Sequence, residues 1–234
     1  SNPVIKEITQ GKPIITLLNK SDLSDPIYNE KWIDYFKQDK QKQTLLINAM
    51  TNESYKKIID LISALARKKI GKNTLAMVLG IPNVGKSSII NMLAGRKITK
   101  IGNEPAITKG QQKVNLRNGI MLLDTPGVLW PKIEDPESGL ALAAVGSIRN
   151  TAVAYDQIAP YIIKSLYQKY PDSLKDRFKI EPLISDEYKA IEILAKKRGC
   201  ISKGGITDIT RISEIIVDEF RRGLLGRVSL ETPA

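Results

Sequence analysis

Residues 80–88 read "GIPNVGKSS", and the run before them, "TLAMVL" at 74–79, is apolar. A glycine, four residues, then glycine, lysine and serine, set between a strand-like run and the helix-like "KSSIINMLAG" at 86–95, is the pattern of a phosphate-binding loop. The glycines let the backbone come close to a phosphate chain, and the loop amides and helix N-terminus then face its negative oxygens. Asn83, Val84, Gly85, Lys86, Ser87 and Ser88 line the expected cradle. Lys86 is suited to reach the β- and γ-phosphates, and the Ser87 hydroxyl to ligate Mg²⁺.

Working outward, "GIMLLDTPG" at 119–127 reads as a strand ending in Asp124. Asp124 supplies a carboxylate for the Mg²⁺ shell, and the Gly127 amide can meet a γ-phosphate; a plain turn is the competing reading of Asp-Thr-Pro-Gly. Thr108, in "EPAIT", is the candidate mobile-loop threonine whose hydroxyl completes that shell. Upstream, "PIITLL" at 13–18 leads into Asn19-Lys20-Ser21-Asp22. A carboxylate at Asp22 can accept from the ring N1–H and exocyclic amine of guanine. Adenine lacks that donor pair, so the wrong base leaves buried polar groups unpaired. The Lys20 stem can pack on base and ribose, and Asn19 completes the motif. After a second strand-like run, "TLLI" at 44–47, Asn48 is placed to shape a loop and Ala49 to offer its amide to the guanine carbonyl. The base-reading loop thus precedes the phosphate loop, a circular rotation of the usual order. A sheet tolerates this because strands adjacent in space need not be adjacent in sequence.

These motifs in this order, "LLNKSD", "GIPNVGKSSIINML", "EPAIT" and "LLDTPGVLWPK", with "KKRGCISKGG" and "GRVSLETP" near the end, resemble the circularly permuted GTPases of ribosome assembly, in the bacterial ribosome biogenesis GTPase A family. The resemblance runs from about residue 2 to the end. It implies a GTPase that binds the immature large ribosomal subunit and its rRNA late in assembly and is activated there, with GTP or GDP as ligand and Mg²⁺ as cofactor. Lys86, Thr108, Asp124 and Gly127 would carry the catalytic roles. Two departures limit the transfer. The family usually begins with a longer segment carrying a Trp-Phe-Pro-Gly-His motif and a strand ending in Asp-Ala-Arg, so this chain is expected to lack one sheet strand and the proposed catalytic histidine; it contains no histidine at all. Val128 follows Asp-Thr-Pro-Gly, where many GTPases use a water-orienting glutamine. An apolar residue there resembles the potassium-dependent group, in which an Asn at the Asn83 position ligates K⁺ and supplies charge near the phosphates. Asn83 shaping the loop is the alternative.

Strand-like runs alternating with helical ones predict an α/β domain over 1–150, with a mostly parallel sheet covered on both faces. Within it, helices are expected over 28–38, over 54–70 with Gly71 as the stop, and over 86–95, and a hairpin around Asn118-Gly119. After residue 150 the pattern is helical in period, so residues 151–234 are expected to form a helical, RNA-binding domain. Net charge is +11, and all but +2 of it falls in residues 1–150, which points to a polyanionic partner. Lys196, Lys197, Arg198, Lys203, Arg211, Arg221, Arg222 and Arg227 are candidate RNA contacts. One cysteine, Cys200, excludes an internal disulfide and suits a reducing compartment. No apolar run approaches the ~20 residues of a membrane span. A monomer in bacterial cytoplasm is expected, with mitochondria as the alternative. The competing functions are a GTP-regulated rRNA-binding module with negligible hydrolysis and a P-loop ATPase, which Asp22 disfavours.

Overall fold

The computed structural model describes residues 9, 11–39, 42–66, 73–98, 112–116, 119–127, 133, 135–148, 151–180 and 186–233. The chain divides into two compact units. The first holds β1 (Ile14–Leu18), α1 (Pro26–Lys37), β2 (Lys42–Leu46), α2 (Glu53–Leu65), β3 (Thr74–Val78), α3 (Lys86–Ala94), β4 (Gln112–Leu116) and β5 (Ile120–Asp124). β1 and β2 run parallel, with Ile14 opposite Lys42 and Leu18 opposite Leu46. β3 and β5 are also parallel, with Val78 opposite Asp124, and β4 is antiparallel to β5. The register puts the ends of β3 and β5, and hence the two loops that follow them, on the same edge. Burial alternates along β5, where Ile120, Leu122 and Asp124 turn inward. Ile120 and Leu122 meet Val114 of β4, Ile58 and Ile62 of α2, and Ile90 and Leu93 of α3 in one core.

Among the described residues the strands form two sheets, β1-β2 and β3-β5-β4, and not the continuous, doubly covered sheet expected from the sequence. β1 and β3 each pair with one described strand. Leu75 and Met77, on one face of β3, are 62% and 47% exposed, unusual for a strand of a parallel sheet. α2 also departs from expectation: it ends at Leu65, where Ala66 turns extended, well short of Gly71. Gly71 and Asn118 lie outside the described residues, although Gly119 does hold the positive φ (+77°) of a tight turn. α3 closes as expected on Gly95 in the left-handed region.

The second unit contains residues 133–232 together with the three residues Leu23–Asp25. Its helices are α4 (Pro136–Ala144), α5 (Tyr155–Lys169), α6 (Pro171–Phe178), α7 (Glu187–Lys197) and α8 (Ile209–Arg221). Ile158, Ile162 and Leu166 of α5 pack with Ile212, Ile216 and Val217 of α8 in its core. The division falls at residues 132/133, where the sequence reading places it at 150/151. The reason is α4: capped by the Asp135 carboxylate, it buries Ala143 and Ala144 in the helical core. α6 has no counterpart in the sequence reading; Pro171 opens it and Leu174 and Phe178 anchor it. No described helix is long and apolar enough to cross a membrane.

Candidate nucleotide-binding site

The phosphate loop owes its shape to two left-handed residues, Asn83 (φ +61°) and Gly85 (φ +93°). Gly85 caps α3, and its carbonyl accepts the first helical bond, from the Ile89 amide. The turn aims the amides that begin α3 into the loop, where a helix accepts anionic oxygen. Lys86 is 8% exposed, and its ammonium donates to the Gly80 and Ile81 carbonyls at 3.0 and 2.8 Å. Burial pushes its pKa below the usual lysine range, opposed by the charge of Asp124. A phosphate chain in the loop would offset that burial with negative charge beside the ammonium.

Asp124, fully buried at the end of β5, lies opposite the last residue of β3. Thr125 ties the two strands further, its hydroxyl donating to the Val78 carbonyl at 2.7 Å. Gly127 then passes so close to the phosphate loop that a Cβ there would sit 2.9 Å from the Cα of Pro82. Both loops therefore converge on one point. Ser87 and Asp124 offer hydroxyl and carboxylate oxygens, the hard donors that Mg²⁺ takes. No described cluster of three or more carboxylate, Cys or His side chains could hold a metal alone. Thr108 and Val128 lie outside the described residues.

Asn19 joins the base-reading loop to both of its neighbours. Its Nδ2 donates to the Val84 carbonyl at 2.9 Å, and its Oδ1 accepts the Ala49 amide at 3.0 Å. The contact with the phosphate loop is tight, since a Cβ on Gly85 would lie 2.2 Å from Asn19 Nδ2. The Ser21 amide donates to the Ile47 carbonyl, and Ile47 in turn to Leu18, so the ends of β1 and β2 are stitched together. Asn48 shapes its loop as expected: its Oδ1 takes the Met50 amide, and its carbonyl accepts from Thr51. The Ala49 amide, expected to face a guanine carbonyl, is engaged by Asn19 in this structure. Lys20 adopts a left-handed φ of +61°, and Asp22 is exposed at the end of the loop. Sequence reasoning placed Asn19 in the motif without seeing that it bridges three loops. It also passed over Thr125 and Pro82. The available signal was chemical: an amide side chain donates and accepts at once.

The cations proposed for RNA separate into two kinds. Arg198 pairs with Glu219 at 2.5 Å, Arg221 donates to the Ala143 and Ala144 carbonyls, and Arg227 donates to the Ser24 carbonyl. Lys197 donates to the Lys179 carbonyl and Arg222 pairs with Asp218. These five serve the unit's own structure. Lys196, Lys203 and Arg211 are exposed.

A family model described as 50S ribosome-binding GTPase matches residues 75–184. Ribosome biogenesis GTPase A of Bacillus cereus is 37% identical over 241 aligned residues, which take in 99% of this chain and 81% of the relative. The protein of that name from Thermotoga maritima is 34% identical, covering 95% of this chain and 77% of its own. Mitochondrial ribosome-associated GTPase 1 of Ictalurus punctatus is 34% identical over 98% of this chain and 80% of its own. Among solved structures, GDP-bound TM YlqF superposes with a TM-score of 0.62 at 30% identity, covering 94% of this chain and 83% of that one. GNP-bound YlqF from T. maritima gives 0.63 at 25% identity, covering 98% and 97%.

Proposed function

The chain belongs to the ribosome biogenesis GTPase A family, and on that premise we propose that it is a circularly permuted GTPase acting late in assembly of the large ribosomal subunit. It binds GTP, hydrolyses it to GDP and phosphate, and serves as a timing or release switch on the immature subunit, in bacterial cytoplasm. The observation that carries this reading is the Asn19 bridge, which brings the base-reading loop within hydrogen-bond distance of the phosphate loop. In the proposed site Asp22 reads the guanine N1–H and amine, and Lys20 covers the base. The Ala49 amide, with Asn48 behind it, reaches the guanine carbonyl by sharing its proton with Asn19. The amides of residues 83–88 and the Lys86 ammonium hold the phosphates. Ser87, Thr108 and Asp124 are the residues that would hold Mg²⁺, which supplies charge to the oxygens of the transferred phosphoryl group. Gly127 places its amide at the γ-phosphate. Asn83 is the residue that would hold K⁺.

Hydrolysis transfers the γ-phosphoryl group from its bridging oxygen to a water, and the water's proton passes to solvent or phosphate. Valine at position 128 cannot orient that water, so the ribosome or a cation beside Asn83 is assigned the task. Loss of the γ-phosphate releases the loops near Thr108 and Gly127, and the helical domain then changes its grip on rRNA. Lys196, Lys203 and Arg211 are its proposed phosphate contacts, and the basic surface of residues 1–150 adds to them. A second reading, a GTP-regulated rRNA-binding module with negligible hydrolysis, is favoured by Val128.

The decisive experiment measures GTP hydrolysis in K⁺ and in Na⁺ buffer, with and without large ribosomal subunits. Strong stimulation by the subunit supports the timer, and dependence on K⁺ supports Asn83. Tight GTP binding without stimulation supports the binding module. ATP competing as well as GTP would overturn both.

A further inference from the structure

A pocket of about 490 Å³ opens in the α/β unit, between the start of α2, the end of α3 and the end of β4. It is no part of the phosphate site, because that loop lies at the other end of α3, roughly 13 Å away along its nine residues. The floor is apolar, with Leu93 and Leu116 buried at 4% and 3% exposure. The rim is polar: Asn52 at the N-cap of α2, Tyr55 one turn on, Arg96 just past α3, and Asn115 of β4. All four are exposed. Asn52 makes no side-chain bond to cap its helix. Among the described residues no hydrogen bond or ion pair engages the side chains of Asn52, Tyr55, Arg96 or Asn115. The turn that carries Arg96 is nonetheless fixed. Gly95 holds a left-handed φ of +64° and its amide donates to the Met92 carbonyl at 3.2 Å, while Asn91 Oδ1 accepts the Ile98 amide at 2.8 Å.

A ring, two amides and a guanidinium around an apolar floor form the donor set for an unpaired nucleobase. An aromatic ring offers a stacking face that any base can take. An amide side chain donates and accepts at once, as the edge of a base does. A guanidinium matches two oxygens of a phosphate. The volume lies within the roughly 300–1,000 Å³ of small-ligand sites. The charge also has the sign that RNA requires: the segments 52–65, 92–98 and 112–116 carry exposed Lys56, Lys57, Arg96, Lys97 and Lys113 against Glu53 and Asp60. We propose that this pocket takes one unpaired base of a single-stranded rRNA segment. The base stacks on Tyr55, Asn52 and Asn115 bond its edge, and Arg96 holds its phosphate. This rests on the reading of rRNA as the partner. The α/β unit then grips RNA by itself, so a helical unit that lets go after hydrolysis does not by that alone free the protein from the subunit.

Fluorescence anisotropy of the full chain, loaded with GDP, tests this with a labelled single-stranded RNA of about ten nucleotides and with a strand of the same length whose bases are replaced by abasic sites. The wild-type chain should bind the base-bearing strand more tightly. Tyr55→Ala should weaken binding of that strand by at least about fivefold and leave the abasic strand unchanged. Tyr55→Phe, which keeps the ring, should bind as the wild type does. Arg96→Ala should weaken both strands alike and lower the slope of log affinity against log salt by about 0.7, the share of one phosphate contact. GDP affinity, expected to be unchanged in each variant, reports that the unit is folded. Asn115→Ala, on the surface of β4, should also weaken only the base-bearing strand, and it decides the matter if Tyr55→Ala loses GDP. If the loss is absent, or equal for the two strands, the pocket takes no base and the inference is overturned while the rRNA partner stands. A wild-type chain that binds no single strand yet sediments with large ribosomal subunits has the same meaning. If it does neither, the partner reading and the inference fall together.

Discussion

Gly85 and Asn19 constrain each other. The glycine is required twice, for its left-handed backbone and for the space that Asn19 Nδ2 occupies. Gly85→Ala is therefore expected to weaken GDP binding by well over tenfold, since the backbone strain alone costs about 1–2 kcal/mol before Asn19 is displaced; titration with a fluorescent GDP analogue measures it. Asn19→Ala deletes two bonds and leaves the Val84 carbonyl and the Ala49 amide without this partner. It should lower stability by about 1–3 kcal/mol in urea unfolding and weaken GDP and GTP alike. At Lys86 the shift has a sign that can be tested. With its folded pKa held below 10.5 by burial, the unfolded chain binds the extra proton, so nucleotide-free stability rises with pH between the folded value and 10.5. Phosphates at the ammonium reverse the shift, so GDP affinity should fall through the same alkaline window, and Lys86→Gln should flatten that fall. The phosphate loop opening α3 and the carboxylate closing β5 were legible because each motif joins a residue type to a fixed spacing. The double bonding of Asn19 was not, because its partners, Val84 and Ala49, are far from it in sequence.

Among the elements, α6, α7 and α8 are pinned by one carboxylate. Glu219 of α8 is 6% exposed and accepts from Arg177 of α6 through both oxygens, at 2.8 and 2.6 Å, and from Arg198 just after α7. The Arg198 guanidinium also lies 5.3 Å from the Phe178 ring centroid, over the end of α6. Burial alone would raise the Glu219 pKa, but the hydrogen bond from Arg177 and the charges of Arg198 and Arg177 outweigh it and hold it below the usual glutamate value. A lowered carboxylate pKa gives stability that is complete above the unfolded value of 4.5 and is lost as pH falls through the folded one. Glu219→Gln should cost about 2–3 kcal/mol at neutral pH, less than a fully buried pair because both arginines are about one-third exposed. It should also blunt the acid loss of stability, as thermal melts against pH will show. Element types were readable where apolar periodicity was strong, as in α2 and α8. α6 escaped because "PDSLKDRF" is mostly polar and its two anchors, Leu174 and Phe178, are a single i,i+4 pair. α4 was seen as helical but placed with the wrong neighbours, since alanines are small and carry little periodic signal about what they pack on.

For the whole molecule, the sequence told of an α/β part followed by a helical part, because the change in hydrophobic period is a property of long segments. It could not tell that Leu23–Asp25 depart from the first part to join the second, since three residues carry no period. Nor could it tell how the strands divide, because pairing partners are chosen in three dimensions. That division bears on handling the protein. Among the described residues β1 and β3 each pair on one side only, which leaves a row of backbone donors and acceptors on the other, and on one face of β3 stand the exposed Leu75 and Met77. Such a border is a template on which another copy can add a strand. Light scattering of the concentrated protein should rise with time and concentration, and Met77→Lys, which sets a charge on that border, should slow the rise. Solubility here is then a matter of kinetics, governed by how often two β3 borders meet, and dilution would preserve the protein better than cooling.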